Sequence, residues 1–418
     1  MDAAACCKAT ADRGVGDRPT DGRELADIVR RYGPAYRRAH RLSPDQNKTL
    51  NAIEACRTAV LGGHADSCRR CGYKRYSYNS CRNRHCPKCQ TLTKARWIED
   101  RKAELLPAPY FHVVFSLPHE LNSLVLYNRK TLINLLFSAA SKTLADFGRN
   151  NLGGKLGFTM ILHTWDQQLN AHFHLHCLIA GGALVGDNAA SRQWISTSPK
   201  FLFPVRALSK VFRGKFLAGL KAVGAKGELN FPETPGNAGQ FTAMLGKLYR
   251  KAWSLYAKPP FDGPERTLEY LGRYTHRVAI SNNRILSIDN GTVRFKYRDR
   301  RDHDRIKIKS LAASEFIRRF CLHVLPTGLM RIRHFGFLAS RCKASMLAQC
   351  RRALGVPEPQ PQQPKTAAQW MLALTGIDIE ACPRCGHRPL QSIELPPINP
   401  HHPPPQRGPP DTDIDTTT

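Results

Sequence analysis

Cysteine and histidine carry most of the candidate chemistry of this chain. The run HADSCRRCGYKRYSYNSCRNRHCPKCQ holds Cys68 and Cys71 as one Cys-x-x-Cys pair and Cys86 and Cys89 as a second, with 14 residues between them (72–85). Each tight turn presents two thiolates, and a loop of that length can fold back to close a tetrahedral site, so the spacing predicts a four-cysteine Zn²⁺ centre. Four thiolates leave no open coordination position, which makes this zinc structural. Cys81, His85 and His64 are near enough for a ligand exchange or a second partial site, and Arg82, Arg84, Lys88, Lys94 and Arg96 surround the run with charge suited to DNA phosphates. Far downstream, Cys382 and Cys385 form half a site, with Cys342 and Cys350 as candidate partners, or none.

A second cluster is His172-Phe173-His174-Leu175-His176. On a strand these side chains alternate, so the three imidazoles share a face that can hold a divalent cation. His163, Asp166, Gln167 and Gln168 precede it as further candidate ligands. Imidazole with an oxygen ligand and open positions suits Mg²⁺ or Mn²⁺ acting as a Lewis acid on phosphate. The third group is Tyr270 and Tyr274 in EYLGRYTHR, four apart and therefore on one face of a helix. A phenol can attack phosphorus and keep a phosphodiester's bond energy in a covalent ester; packing is the plainer role for such a pair. Tyr249, Trp253 and Tyr256 make a comparable stripe, read as core. Arg273 and Arg277 flank the tyrosines as phosphate contacts. In TVRFKYR, Arg294, Lys296 and Arg298 alternate with apolar residues, and Arg305, Lys307 and Lys309 repeat the alternation, so an anion such as a DNA backbone would relieve their repulsion.

The elements that must position these residues are legible in outline. Residues 1–22 lack apolar periodicity and read as a loose tail. ELADIVRRYGPAYRRAH is a helix expected to break or kink at Gly33-Pro34, and a second helix follows Ser43 as N-cap with Pro44 at its first position. YFHVVFSL (110–117) reads as a strand, 129–147 as a helix, and GFTMILHTW with HFHLHCLIAGG as an antiparallel hairpin. Helices are expected at 205–223, 239–257, 265–277, 311–322 and 340–353. RILSID, TVRFKY and RIKIK form a three-stranded meander whose first turn is Asn290-Gly291. VPEPQPQQPK is a linker. Across 418 residues, 63 Lys and Arg stand against 33 Asp and Glu, a net charge of +30, with 42% hydrophobic residues. That is a folded protein with a polyanionic partner, too large for a disulfide-stapled peptide. No run of 18 apolar residues and no apolar segment near the start point to a membrane span or a secretory signal, so a cytoplasmic, nucleoid-associated protein is expected.

Together CRNRHCPKCQ, HLHCLIAGG, YAKPPFDGP and YLGRYTHRVAISNNR closely resemble the insertion sequence 91 family of transposases, two-tyrosine members of the HUH endonuclease superfamily. CPRCG (382–386) resembles the family's C-terminal ending. The resemblance runs from about Leu25 to Met346 and implies an α+β fold: an HUH-type antiparallel sheet with flanking helices, preceded by a helical segment and a small zinc-binding domain. Composition and the resemblance together divide the chain into a disordered tail (1–22), a helical plus zinc-binding domain (23–100), a catalytic domain (105–350), a Pro/Gln-rich linker (355–366), a small C-terminal Cys-x-x-Cys segment (367–393) and a second disordered tail (394–418). The resemblance implies His174 and His176 as ligands of the catalytic metal, with His172 as an extra histidine, and Tyr270 and Tyr274 as nucleophiles. The implied activity is nicking and joining of single-stranded DNA at element ends and target, through a 5′-phosphotyrosine, with a host helicase or replication factors as further partners. A rolling-circle replication initiator and a non-catalytic DNA-binding relic are the alternatives.

Overall fold

Leu25, Ile28, Val29 and Tyr36 recur at helical spacing and are buried on one side of α1 (Leu25–Ala39). The structure, a computed structural model, describes residues 23–188, 191–231, 238–258, 272, 278–300, 302–360 and 363–398. The expected break at Gly33-Pro34 does not occur: α1 runs through it, with Pro34 on the exposed side, where water can satisfy the carbonyl that proline leaves without a donor. Ser43 caps α2 (Pro44–Ala55) as expected, accepting from the Gln46 N–H. A hairpin of β1 (Gly63–Ser67) and β2 (Lys74–Tyr78) follows, and then α3 (Gln90–Lys102).

The central sheet is antiparallel and positions the histidines. Its strands are β3 (Tyr110–Ser116), β4 (Lys155–Trp165), β5 (Ala171–Val185), β6 (Gln193–Ser196), β7 (Leu255–Lys258) and a late strand from Ile332 to Gly336, in the order late strand, β4, β5, β3, β7, with β6 also paired to β5. Between strands lie α4 (Asn122–Tyr127), α5 (Arg129–Leu152), α6 (Val205–Ala225) and α7 (Ala238–Arg250). Phe115, Phe158, Phe173 and Leu175 on one sheet face pack with Leu136 and Phe137 of α5 and Phe212 and Phe216 of α6 in the largest core. The helix expected over 239–257 ends at Arg250, because the next residues supply β7 to the open edge of β3. Of the expected core stripe only Trp253 is buried; Tyr249 and Tyr256 are 60% and 54% exposed.

The meander forms as read: β8 (Ile285–Asp289), β9 (Thr292–Asp299) and β10 (Arg305–Ala312), with Asn290 and Gly291 both at positive φ in the turn. It is followed by α8 (Ala313–Leu322), the late strand β11 (Ile332–Gly336), α9 (Lys343–Leu354), α10 (Ala367–Thr375) and β12 (Gln391–Leu395). β12 was not foreseen. It pairs with β1, so Glu394 and Leu395 belong to a strand rather than to the expected tail.

Leu25, Ile28 and Ile53 of α1 and α2 share one core with Ile288, Phe295, Phe316 and Phe320 of β8, β9 and α8. The N-terminal helices are therefore packed into the segment 279–324, across the boundary expected near residue 100. No described helix is long and apolar enough to cross a membrane.

Candidate metal centres and DNA-facing residues

The hairpin register sets His163 of β4 directly opposite His174 of β5, beside a bulge that lies between His163 and Trp165. His163, His174 and His176 bring one nitrogen each to within 4.8 Å of one another. Their ring centroids are 4.4 Å apart for His163 and His176, 4.9 Å for His174 and His176, and 5.4 Å for His163 and His174. Two rings have their outer nitrogen engaged: His174 Nδ1 lies 3.0 Å from the His172 carbonyl oxygen, and His176 Nδ1 lies 2.9 Å from Nε2 of buried His112 on β3. Burial, then the neighbouring histidines, hold His174 and His176 well below the ordinary imidazole range. At His174 Nδ1 must donate to the carbonyl, which leaves the Nε2 lone pair for a cation, and His176 has the same arrangement in the tautomer that donates from Nδ1 to His112.

Of the four further candidates, His163 is the one that the geometry brings to this cluster. Asp166 instead closes the β4–β5 turn: its Oδ1 accepts from the Gln168 and Asn170 N–H groups and its Oδ2 from Asn170 Nδ2, all at 2.8 Å. His172 stands beside His174, with centroids 4.6 Å apart, but is not among the three converging nitrogens. Tyr270, Tyr274, Arg273 and Arg277 lie outside the described residues. Gly272 between the tyrosines is described and buried: a Cβ there would lie 2.4 Å from Cδ1 of Ile98 on α3.

The four thiols expected together, Cys68, Cys71, Cys86 and Cys89, do not assemble. Cys68 and Cys71 sit at the tip of the β1–β2 hairpin, and five residues of extended strand, about 17 Å, separate that tip from the base where Cys86 and Cys89 lie. Two sets form instead. Cys56, Cys81, Cys86 and Cys89 make one, with sulfur contacts of 3.5 to 3.7 Å. Cys68, Cys71, Cys382 and Cys385 make the other, with two cross-pair contacts of 3.6 Å. Tetrahedral Zn–S bonds of about 2.3 Å put sulfurs about 3.8 Å apart, so both sets have the size of a zinc tetrahedron. In the first set, hydrogen bonds from Cys56, Cys81 and Cys86 hold the Cys89 thiol far below its ordinary range. The second set faces two copies of one turn. Cys68 N–H donates to Tyr73 O and Gly72 N–H to Cys68 O; Cys382 N–H donates to His387 O and Gly386 N–H to Cys382 O. Gly72 and Gly386 have φ of +69° and +72°, the left-handed conformation that this turn asks of its fifth residue.

The basic residues divide by register. Arg294, Lys296 and Arg298 face out from β9 in line with Ser310, Ile308 and Ile306 of β10. Lys307 and Lys309 are opposite Tyr297 and Phe295 instead, so the two rows expected to share a face lie on opposite faces, and Lys307 is 2.9 Å from Asp299 and 3.0 Å from Asp302. Near the first thiol set, Arg84 donates to the carbonyls of Leu325, Pro326 and Leu329, and Lys88 pairs with Glu24, so both charges are used inside the fold. His85 is buried, accepts from the Leu325 N–H, and is pushed down to about 3 by burial, outside both thiol sets.

Two family models match the chain: one described as "Transposase zinc-binding domain" over residues 28–117, and one described as "Putative transposase" over residues 157–345. "Putative transposase y4qJ" of Sinorhizobium fredii is 46% identical over 383 residues, covering 90% of this chain and 96% of that protein. The chain belongs to the insertion sequence 91 family of transposases. The transposase for insertion sequence element IS801 of Pseudomonas savastanoi pv. phaseolicola is 28% identical over 361 residues, 83% of each chain. No solved structure matches.

In this transposase the zinc-binding match, together with the cysteine clusters, makes zinc a structural component. That match ends before Cys382 and Cys385, which join the second set from the far end of the chain. A sequence signal for this partnership was present: CRRCG and CPRCG share a Cys-x-x-Cys-Gly pattern, whereas the pair at 86–90 reads CPKCQ. Cys56, the C-cap residue of α2, and His112 carried no comparable signal and were missed.

Proposed function

We propose that this transposase nicks and joins single-stranded DNA at the ends of its element through a 5′-phosphotyrosine, in rolling-circle-like transposition. The observation that carries the reading is the convergence of three imidazoles on one sheet face, two of them held neutral by burial. Ile161 and Leu178, which alternate onto that same face, belong to a core against which Ile98 packs, and Gly272 rests on Ile98 two residues from Tyr270 and from Tyr274 in sequence.

Chemically, Oη of one tyrosine attacks the scissile phosphorus. A tyrosine–phosphorus bond forms, the phosphorus–O3′ bond breaks, and the proton lost by the phenol is balanced by the one gained at the leaving 3′-hydroxyl. Attack by a 3′-hydroxyl on that phosphotyrosine reverses the bookkeeping, joins the strands and frees the tyrosine. Paired tyrosines allow two such esters. His163, His174 and His176 would hold the divalent ion, with His172 and His112 fixing two of the rings. When bound, Mg²⁺ or Mn²⁺ supplies charge neutralisation at the phosphate oxygens. An all-nitrogen donor set fits Mn²⁺ better than Mg²⁺, which prefers oxygen. The two thiol sets would each hold one structural Zn²⁺.

The test is capture of DNA. With Mn²⁺ and an oligonucleotide carrying the element's ends, the protein should form a denaturation-resistant adduct on Tyr270 or Tyr274, found by peptide mass spectrometry. The Tyr270→Phe/Tyr274→Phe variant should bind the oligonucleotide and form none. An adduct that persists in this variant, or cleavage by wild type without any adduct, overturns the reading.

A further inference from the structure

The three-stranded sheet β12-β1-β2 is held at its tip by the second thiol set and is thin. Its register lines up Lys74, Ser67 and Gln391 in one row, Tyr76, Ala65 and Ile393 in the next, and Tyr78, Gly63 and Leu395 in the third. Directly opposed residues of antiparallel strands share a face, so these nine residues make one surface. Tyr76 is 56% exposed, Tyr78 37% and Ile393 63%, an unusual density of large apolar side chains in water for so small a sheet. The middle strand contributes only Gly63, Ala65 and Ser67, which leave a low floor between the two tyrosines and the apolar residues of β12.

Among the described residues of these three strands and their tip, charge on this surface has one sign. Lys74 is exposed on it, and Arg69 reaches it, donating from Nε to Gln391 Oε1 at 3.3 Å. The acids of these strands, Asp66 and Glu394, alternate onto the other face, where Asp66 is bonded to Arg75. A surface of exposed aromatic rings, an apolar floor and cations with no acid is complementary to an anionic polymer with flat apolar faces. Unpaired nucleic acid has both; a duplex hides its base faces inside its own stack. Two residues of strand advance about 6.7 Å, so the two rings are placed for two successive bases rather than for one.

We propose that this face binds unpaired bases of single-stranded DNA, Tyr76 and Tyr78 each stacking on one base while Lys74 and Arg69 meet phosphates. It deepens the single-strand reading above and rests on it for the identity of the substrate, but not on the cleavage chemistry. The platform exists only when both ends of the chain are present, since β12 and two of the four thiols come from beyond residue 380.

The experiment uses the full-length, zinc-loaded protein, without Mg²⁺ or Mn²⁺ so that no cleavage occurs, and a fluorescein-labelled oligodeoxythymidine alongside a duplex of equal length. The Tyr76→Ala/Tyr78→Ala variant should lose about tenfold or more in oligodeoxythymidine affinity, with zinc content and duplex binding unchanged. The Tyr76→Phe/Tyr78→Phe variant, which keeps both rings, should bind within about twofold of wild type. Given Mn²⁺ and saturating end oligonucleotide, the alanine variant should still form the adduct, so failure of the platform and failure of the cleavage chemistry read out separately. Wild-type affinity in the alanine variant, an equal loss for duplex, or a change only in the protein's self-association would overturn the proposal.

Discussion

At His176 the two ring nitrogens have different surroundings: Nδ1 meets His112, and Nε2 is the nitrogen that the proposed cation would use. His112 also lies parallel to that ring, 5.1 Å between centroids and 8° between planes. His112→Phe keeps the stacked ring but removes the nitrogen, so it should weaken Mn²⁺ binding about 10–100-fold, read as a rise in the Mn²⁺ concentration needed for half-maximal cleavage. An unchanged Mn²⁺ requirement would reduce His112 to packing. Strand alternation made His172, His174 and His176 legible as one row, and the family resemblance narrowed the row to His174 and His176. His163 was only one of four candidates, since choosing it needs the register of the hairpin and the bulge beside it, neither of which residue type encodes. His112 was invisible, because it meets His176 across the β3–β5 ladder from 64 residues away.

Elements with a local cause were readable: the Ser43 cap, the Asn290-Gly291 turn and the alternating β4–β5 pair all formed as expected. The short strands β7, β11 and β12 were not, because each exists to satisfy an edge supplied by a distant part of the chain. The same limit misassigned the thiols, since spacing cannot tell which loop a stiff hairpin carries out of reach. Zinc content tests the corrected sets. Wild type should contain two Zn²⁺ per chain, and Cys382→Ser or Cys86→Ser should each lower this to one; only Cys382→Ser should also loosen β12, seen as faster amide exchange at residues 391–395. One zinc in wild type would eliminate a set. On the meander, replacing Arg294, Lys296 and Arg298 by Ala should reduce the slope of log affinity against log salt for single-stranded DNA by about 2, whereas Lys307→Ala, already balanced by Asp299 and Asp302, should leave it unchanged. Equal slopes for all variants would remove this face from the DNA path.

On the scale of the whole molecule, the fold keeps several histidines neutral in its interior. Burial pushes His323 and His334 each down to about 4. Unfolded chain takes up a proton at such a residue near pH 6.5 while the folded protein does not, so stability is full above that pH and falls as the pH drops toward 4. His323 alone accounts for on the order of 3 kcal/mol across that range. Urea midpoints should therefore fall between pH 7 and pH 5, and His323→Asn, which removes the titrating ring, should show a smaller fall; a midpoint independent of pH would contradict this. The joining of Cys71 to Cys382, 311 positions apart, also orders events in time. During translation at about 5–20 residues per second, the N-terminal knuckle waits roughly 15–60 s for its partner thiols to leave the ribosome. Prematurely terminated chains would carry the histidines and tyrosines yet lack two of the four thiols of this set, so the module is completed only in chains whose synthesis has passed residue 385.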